Sequence, residues 1–157
     1  MIRAIAAIDD KRGLATDAGI PWDIPADVAH ERQLTKGGNM LMGLATYKEF
    51  DTAPSDRQWY VLTDVDEPLK PGFHAVTDLA AFMVQPPKDL WLFGGAGVFA
   101  QTISAADELC LTRIQGDFHC TKFFPEFEAD FELTTQEPWQ TQNNQTFRFE
   151  TWTRKKS

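Results

Sequence analysis

The chain has 157 residues, 43% of them apolar and 12% aromatic, with a formal charge of −8 at pH 7 and a pI near 4.8. This is the length of one ordinary domain, enough to bury roughly 70% of the surface its unfolded form exposes, and neither low complexity nor an internal repeat argues for disorder. With 15 Lys and Arg against 23 Asp and Glu, the charge argues against a phosphate-backbone partner, because nucleic-acid affinity rests on neutralising many phosphates.

The basic cluster Arg154, Lys155 and Lys156 is too short to reverse that balance, and the acidic surface reads as a solvated one, with adaptation to high salt as the alternative. Cys110 and Cys120 form no CxxC pair, and His119 beside Cys120 lacks the further ligands a zinc site requires, so no metal is expected. The opening MIRAIAAIDD is too briefly apolar for a signal peptide, and no run approaches the roughly 18 apolar residues of a membrane span. A cytoplasmic protein without membrane or nucleic-acid partners is expected, acting as a monomer.

In chain order, Ile2 to Ile8 is a short apolar run ending in Asp9, Asp10 and a Gly13 turn, as a strand covered on both faces requires. A long loop through Gly19, Pro21 and Trp22 follows, and Pro25 stands where a first helical residue often does, opening a helix to about Leu34 that Gly37 and Gly38 stop. Asn39 to Met42 reads as strand, Leu44 to Phe50 as a short helix and Gln58 to Thr63 as strand. Beyond Pro68 to Gly72 come a strand at Phe73 to Val76 and a helix over Asp78 to Val84, then a strand at Leu90 to Phe93, a helix over Ala96 to Ile103 and a strand at Glu108 to Ile114. The tail alternates at period 2 over Phe131 to Thr135 and Thr146 to Thr153, with a polar turn at Gln140 to Gln145 between. Strands separated by helices predict parallel pairing through right-handed crossovers. The fold class is therefore α/β, one domain over residues 1–157, with a mixed, mostly parallel sheet of about eight strands, flanking helices and a C-terminal antiparallel hairpin.

Three segments carry chemistry. In Gly19-Ile20-Pro21-Trp22-Asp23-Ile24-Pro25-Ala26-Asp27, a carboxylate at a helix start can accept two hydrogen bonds in a bidentate charge-assisted contact. Taken singly, Asp27 reads equally as an acid at a helix N-terminus, and Trp22 as a core aromatic. In Trp91-Leu92-Phe93-Gly94-Gly95-Ala96-Gly97-Val98-Phe99, a buried strand opens through glycines into a helix, which lets backbone N–H groups approach a dinucleotide's phosphates; the alternative is a tight turn, since the GxGxxG spacing is missing. Met42-Gly43-Leu44-Ala45-Thr46-Tyr47 repeats the strand, glycine, helix form.

Together these segments resemble the dihydrofolate reductases, in order and with nearly constant spacing from Ile5 to Phe149. The resemblance implies reduction of dihydrofolate to tetrahydrofolate by a nicotinamide dinucleotide, with Asp27, Trp22 and Thr112 as the catalytic group. It implies a substrate site of Ile5, Ala6, Ile20, Val28, Glu31, Phe50, Arg57 and Phe93, with Arg57 on the substrate's α-carboxylate. The implied cofactor site is Ala7, Leu14, Gly43, Leu44, Ala45, Thr46, Leu62, Thr63, Asp64, Gly94, Gly95, Ala96, Gly97, Val98 and Phe99, with Gly94 and Gly95 joined by a cis peptide. On residue type alone Arg57 is a surface arginine and Thr112 an ordinary strand residue.

The departures from the family pattern are Ile20 for a methionine, Phe99 for a tyrosine, and Glu31 where an aromatic residue usually meets the substrate's aminobenzoyl ring. Glu31 is expected to oppose, and Arg57 to favour, a negatively charged tail. NADPH is the family's cofactor, yet Leu44, Asp64 and Gly97 stand where it usually has an arginine, hydroxyl residues and a base around the 2′-phosphate, with Asp66 and Glu67 nearby. NADH is therefore expected to be usable. The alternatives are a pyrimidine reductase of the riboflavin pathway, which would leave Pro21, Trp22 and Asp27 unexplained together, and a noncatalytic pterin- or dinucleotide-binding module.

Overall fold

The computed structural model describes residues 1–64 and 67–156; Asp66, expected near the adenosine end, lies outside the described residues. The strands are β1 (Ile2–Ile8), β2 (Gly13–Ala15), β3 (Asn39–Gly43), β4 (Gln58–Leu62), β5 (Phe73–Val76), β6 (Leu90–Gly94), β7 (Glu108–Ile114), β8 (Lys122–Phe123), β9 (Phe131–Gln136), β10 (Gln140–Gln142) and β11 (Gln145–Arg154). The helices are α1 (Pro25–Thr35), α2 (Leu44–Tyr47), α3 (Leu79–Val84) and α4 (Ala96–Thr102).

Among the described residues the main sheet runs β10-β11-β7-β1-β6-β3-β4-β5, with β9 also against β11. The pairs from β7 across to β5 are all parallel, whereas β11 meets β7, β9 and β10 antiparallel. The apolar runs explain the parallel part. Met40, Leu41 and Met42 are all fully buried, because β3 lies mid-sheet with both faces covered. Alternate side chains enter different cores: Leu41 joins Ala4, Ile8, Leu92, Phe99 and Leu111, and Met40 and Met42 join Ile5, Trp59, Val61 and Trp91.

Three expectations change. The loop after β1 contains β2, which pairs with β8 in a separate small sheet, and Gly13 opens that strand rather than a turn. The helix expected over Leu44 to Phe50 is shorter, since only Leu44–Tyr47 is helical; beyond it the bonds tighten to three-residue turns, Glu49 N–H to Thr46 O and Phe50 N–H to Tyr47 O. The polar turn at Gln140 to Gln145 is itself mostly strand. β10 and β11 close on Asn143 and Asn144, at φ 51° and 63°, the left-handed pair that a two-residue hairpin demands and asparagine tolerates. β9 and β10 both pair along the outer edge of β11, so the expected pairing of the two tail strands is present, with β10 added between them in the chain.

Candidate active site

The carboxyl ends of β1, β3, β4 and β6 open on one side of the sheet, the edge where parallel α/β sheets bind ligands. α1 crosses beside this edge. Pro25 is its first residue, and its N-cap Ile24 has no side-chain cap. The missing acceptor comes from far along the chain: Ala26 N–H donates to Gln142 Oε1 at 2.8 Å, and Asn143 Nδ2 donates to the Asp23 carbonyl at 2.9 Å. The helix start is thereby clamped by the β10–β11 hairpin.

Within the same first turn, Asp27 Oδ1 accepts a 2.5 Å bond from Thr112 Oγ1. Thr112 lies on β7 between Ala7 of β1 and Phe149 of β11, so the acid is held against the middle of the sheet. Burial pushes the Asp27 carboxyl above the ordinary carboxylate range, with the Thr112 bond and the nearby His30 pulling the other way. His30 is itself pinned, its ring stacked on Phe149 with centroids 3.7 Å apart. A desolvated acid with one fixed donor is the pattern of a candidate functional carboxyl group.

The residues expected to form the substrate site differ in exposure. Ile5 is buried, Ala6 half-buried, and Phe50 and Phe93 are half-buried with ring centroids 6.4 Å apart around Trp59. Ile20 and Val28 are 64% and 47% exposed, apolar side chains facing solvent. Trp22 is buried, edge-on to Phe118 at 5.2 Å and clustered with Ile24, Ile114 and Phe147, so it anchors its loop to the core. Arg57 departs most from the surface residue its type implies. It is buried, and it is paired with Glu31 at 2.9 Å. The two residues expected to act oppositely on a substrate tail are bonded to each other.

The glycine turn lies across the same edge. β6 ends on Gly94 at φ +111°, and Gly94 and Gly95 are joined by a cis peptide. A Cβ on Gly94 would lie 2.9 Å from Phe99 Cε2, whereas one on Gly95 would lie 3.7 Å from Thr46 Oγ1 and one on Gly97 would meet nothing within 4 Å. Thr46 of α2 and the start of α4 thus face each other, and a Cβ on Gly43, the last residue of β3, would lie 3.2 Å from Val98 Cγ2. Backbone can approach a ligand closely there. Leu14, Leu44, Leu62 and Ala96 are half-buried and Ala45 and Asp64 exposed around this edge. Val98, Phe99 and Thr63 are buried, so they shape the edge from beneath, and Phe99 N–H is spent on Gly95 O.

The family model for dihydrofolate reductase matches residues 1–154. The chain belongs to the dihydrofolate reductase family. It is 31% identical over 144 residues to the dihydrofolate reductase of Mycoplasma pneumoniae, covering 87% of this chain and 90% of the relative. It is 29% identical over 140 residues to that of Bacillus subtilis, covering 87% and 83%. In fold it matches a dihydrofolate reductase from Enterococcus faecalis complexed with NADP(H) and RAB-propyl, with TM-score 0.88, 24% identity, and 99% and 97% of the two chains covered.

Sequence reading missed Gln142, Asn143, His30 and the partners of Arg57. The Asn143-Asn144 pair signals a tight hairpin, but nothing local shows that the hairpin reaches α1. Among the described residues there is no cluster that could hold a metal ion, and no helix is long and apolar enough to cross a membrane.

Proposed function

We propose that this family member reduces dihydrofolate in the cleft between α1 and the carboxyl edge of the sheet, with Asp27 holding the pteridine. The observation that carries the reading is the Thr112 bond to one oxygen of a half-buried Asp27 whose carboxyl is raised by desolvation. With Oδ1 engaged, the remaining acceptor sites of the carboxylate face the cleft, where a ring N–H and an exocyclic amino group supply donors. Orientation of the ring is then the main service of Asp27, and the proton that the pteridine gains comes from water. Trp22 holds its loop against the core so that Ile20 covers the ring.

Ile5, Ala6, Val28, Phe50 and Phe93 form the apolar walls, and Arg57 receives the α-carboxylate of the substrate tail. The glycine edge fits a dinucleotide, since Gly95 and Gly97 leave open space at the start of α4 and Thr46 Oγ1 faces Gly95. When bound, the reduced nicotinamide supplies the hydride. The Enterococcus faecalis relative carries NADP(H), and NADPH is the cofactor proposed here. NADH is usable as well, because Leu44 and Gly97 bring no cation and Asp64 is an exposed acid at the end of β4. The free thiols of Cys110 and Cys120 fit a reducing cytoplasm, and the enzyme acts as a monomer.

The deciding experiment follows nicotinamide absorbance with each cofactor, with and without dihydrofolate. Dihydrofolate-dependent loss with both cofactors is expected, with NADPH favoured less than about a hundredfold. Absence of turnover would leave only a binding module.

A further inference from the structure

Glu31 follows Asp27 by one helical turn, and its Oε1 accepts from Arg57 Nη1 at 2.9 Å. The same nitrogen lies 3.1 Å from Thr35 Oγ1, and Nε donates to Asp56 Oδ1 at 3.3 Å. The guanidinium also stacks on Trp59, its Cζ 4.7 Å from a ring centroid. Thr35 completes the arrangement by donating to the Glu31 carbonyl at 2.8 Å. Arg57 is therefore a rigid, desolvated cation with two carboxylates already on two of its three nitrogens.

We propose that Glu31 is a built-in competitor for the anion site at Arg57, so that this chain gains less from a substrate's carboxylate tail than an unopposed Arg57 would give it. The proposal rests on the assignment of Arg57 as the tail site. An incoming carboxylate meets a guanidinium whose charge is already balanced and must displace one that is covalently tethered beside it, at high effective concentration. The displaceable partner is Glu31. Its side chain is 19% exposed against 4% for Arg57, so it reaches water by rotating outward while the guanidinium stays packed. Burial also pushes the Glu31 carboxyl above the ordinary range despite the pull of Arg57, so ion pairing does not repay the desolvation of this acid. The latch is one that a ligand can open at a cost.

The readout is the ratio of kcat/KM for dihydrofolate to that for 6-methyl-7,8-dihydropterin, measured in the intact enzyme. Glu31→Leu should raise this ratio about tenfold, and Glu31→Gln, which keeps the shape, should raise it severalfold if the leucine variant folds poorly. Neither rise should appear in an Arg57→Met background. A rise that survives in Arg57→Met would mean that the new side chain contacts the aminobenzoyl ring, and would overturn the proposal. An unchanged ratio in both Glu31 variants, with Arg57→Met still lowering it, would overturn the latch while keeping Arg57 as tail anchor. If Arg57→Met leaves the ratio unchanged in every background, the tail assignment itself is wrong and the proposal falls with it.

Discussion

Asp27 pits stability against function within a single side chain. In the unfolded chain its carboxyl titrates near 3.8, and in the fold burial raises it. The native state then holds the proton more tightly than the unfolded state. The associated stability is complete below the unfolded value and is lost as pH rises through the folded one, so at neutral pH the ionised carboxylate is a net cost to folding. Asp27→Asn keeps an acceptor for Thr112 and removes the charge. It should melt at a higher temperature than the wild type at pH 7, with the advantage shrinking toward pH 4, while kcat/KM for dihydrofolate falls by about two decades or more. A thermal melt at two pH values beside a steady-state assay tests both halves, and an asparagine variant with normal turnover would remove Asp27 from the site.

The elements meet at places their own sequences do not mark. α1 begins without a side-chain cap of its own and borrows one from β10, 116 residues away. Gln142→Ala should cost about 1 kcal/mol of unfolding free energy in urea. Because the bond lies one residue before Asp27, kcat should also drop severalfold, and an unaltered kcat would make Gln142 a purely structural cap. At the opposite edge, α4 starts at a turn that tolerates change unevenly. Gly94 combines a left-handed φ with a 2.9 Å approach to Phe99, whereas Gly97 faces open space. Gly97→Arg therefore fits sterically and improves helix propensity. It should increase the preference for NADPH over NADH about tenfold by supplying a cation for the 2′-phosphate. Equal kcat/KM changes for the two cofactors would show that this position does not see the adenosine end.

At the scale of the molecule, the formal charge of −8 sets how ligands arrive. Dihydrofolate and the dinucleotide are both anions approaching an anionic protein, and Arg57, the cation proposed for the substrate tail, is matched by Glu31 and Asp56. Added salt screens this repulsion. At low substrate, kcat/KM for dihydrofolate should rise as NaCl goes from about 10 to 150 mM. A fall over that range would mean that an unmatched positive field inside the cleft steers the substrate instead.

The amino-acid sequence alone determined the alternation of strands and helices, the strand, glycine, helix turns at Gly43 and Gly94, and the carboxylate at the start of α1. Each of these is written within a few neighbouring residues, as a period of apolar side chains, a proline at N1 or a glycine where a Cβ would clash. The antiparallel tail was legible in the same way, although the polar stretch at Gln140 to Gln145 hid a strand because β10 is short and solvent-facing. Only the tertiary structure decided the partnerships. Thr112 with Asp27, Gln142 with Ala26 and Arg57 with Glu31 join residues 85, 116 and 26 positions apart, and a side chain's burial, proton affinity and bonded partner follow from what the fold brings against it. Arg57 shows the difference most clearly: as a residue type it is a solvated cation, and buried between α1 and Trp59 it is a cation already taken.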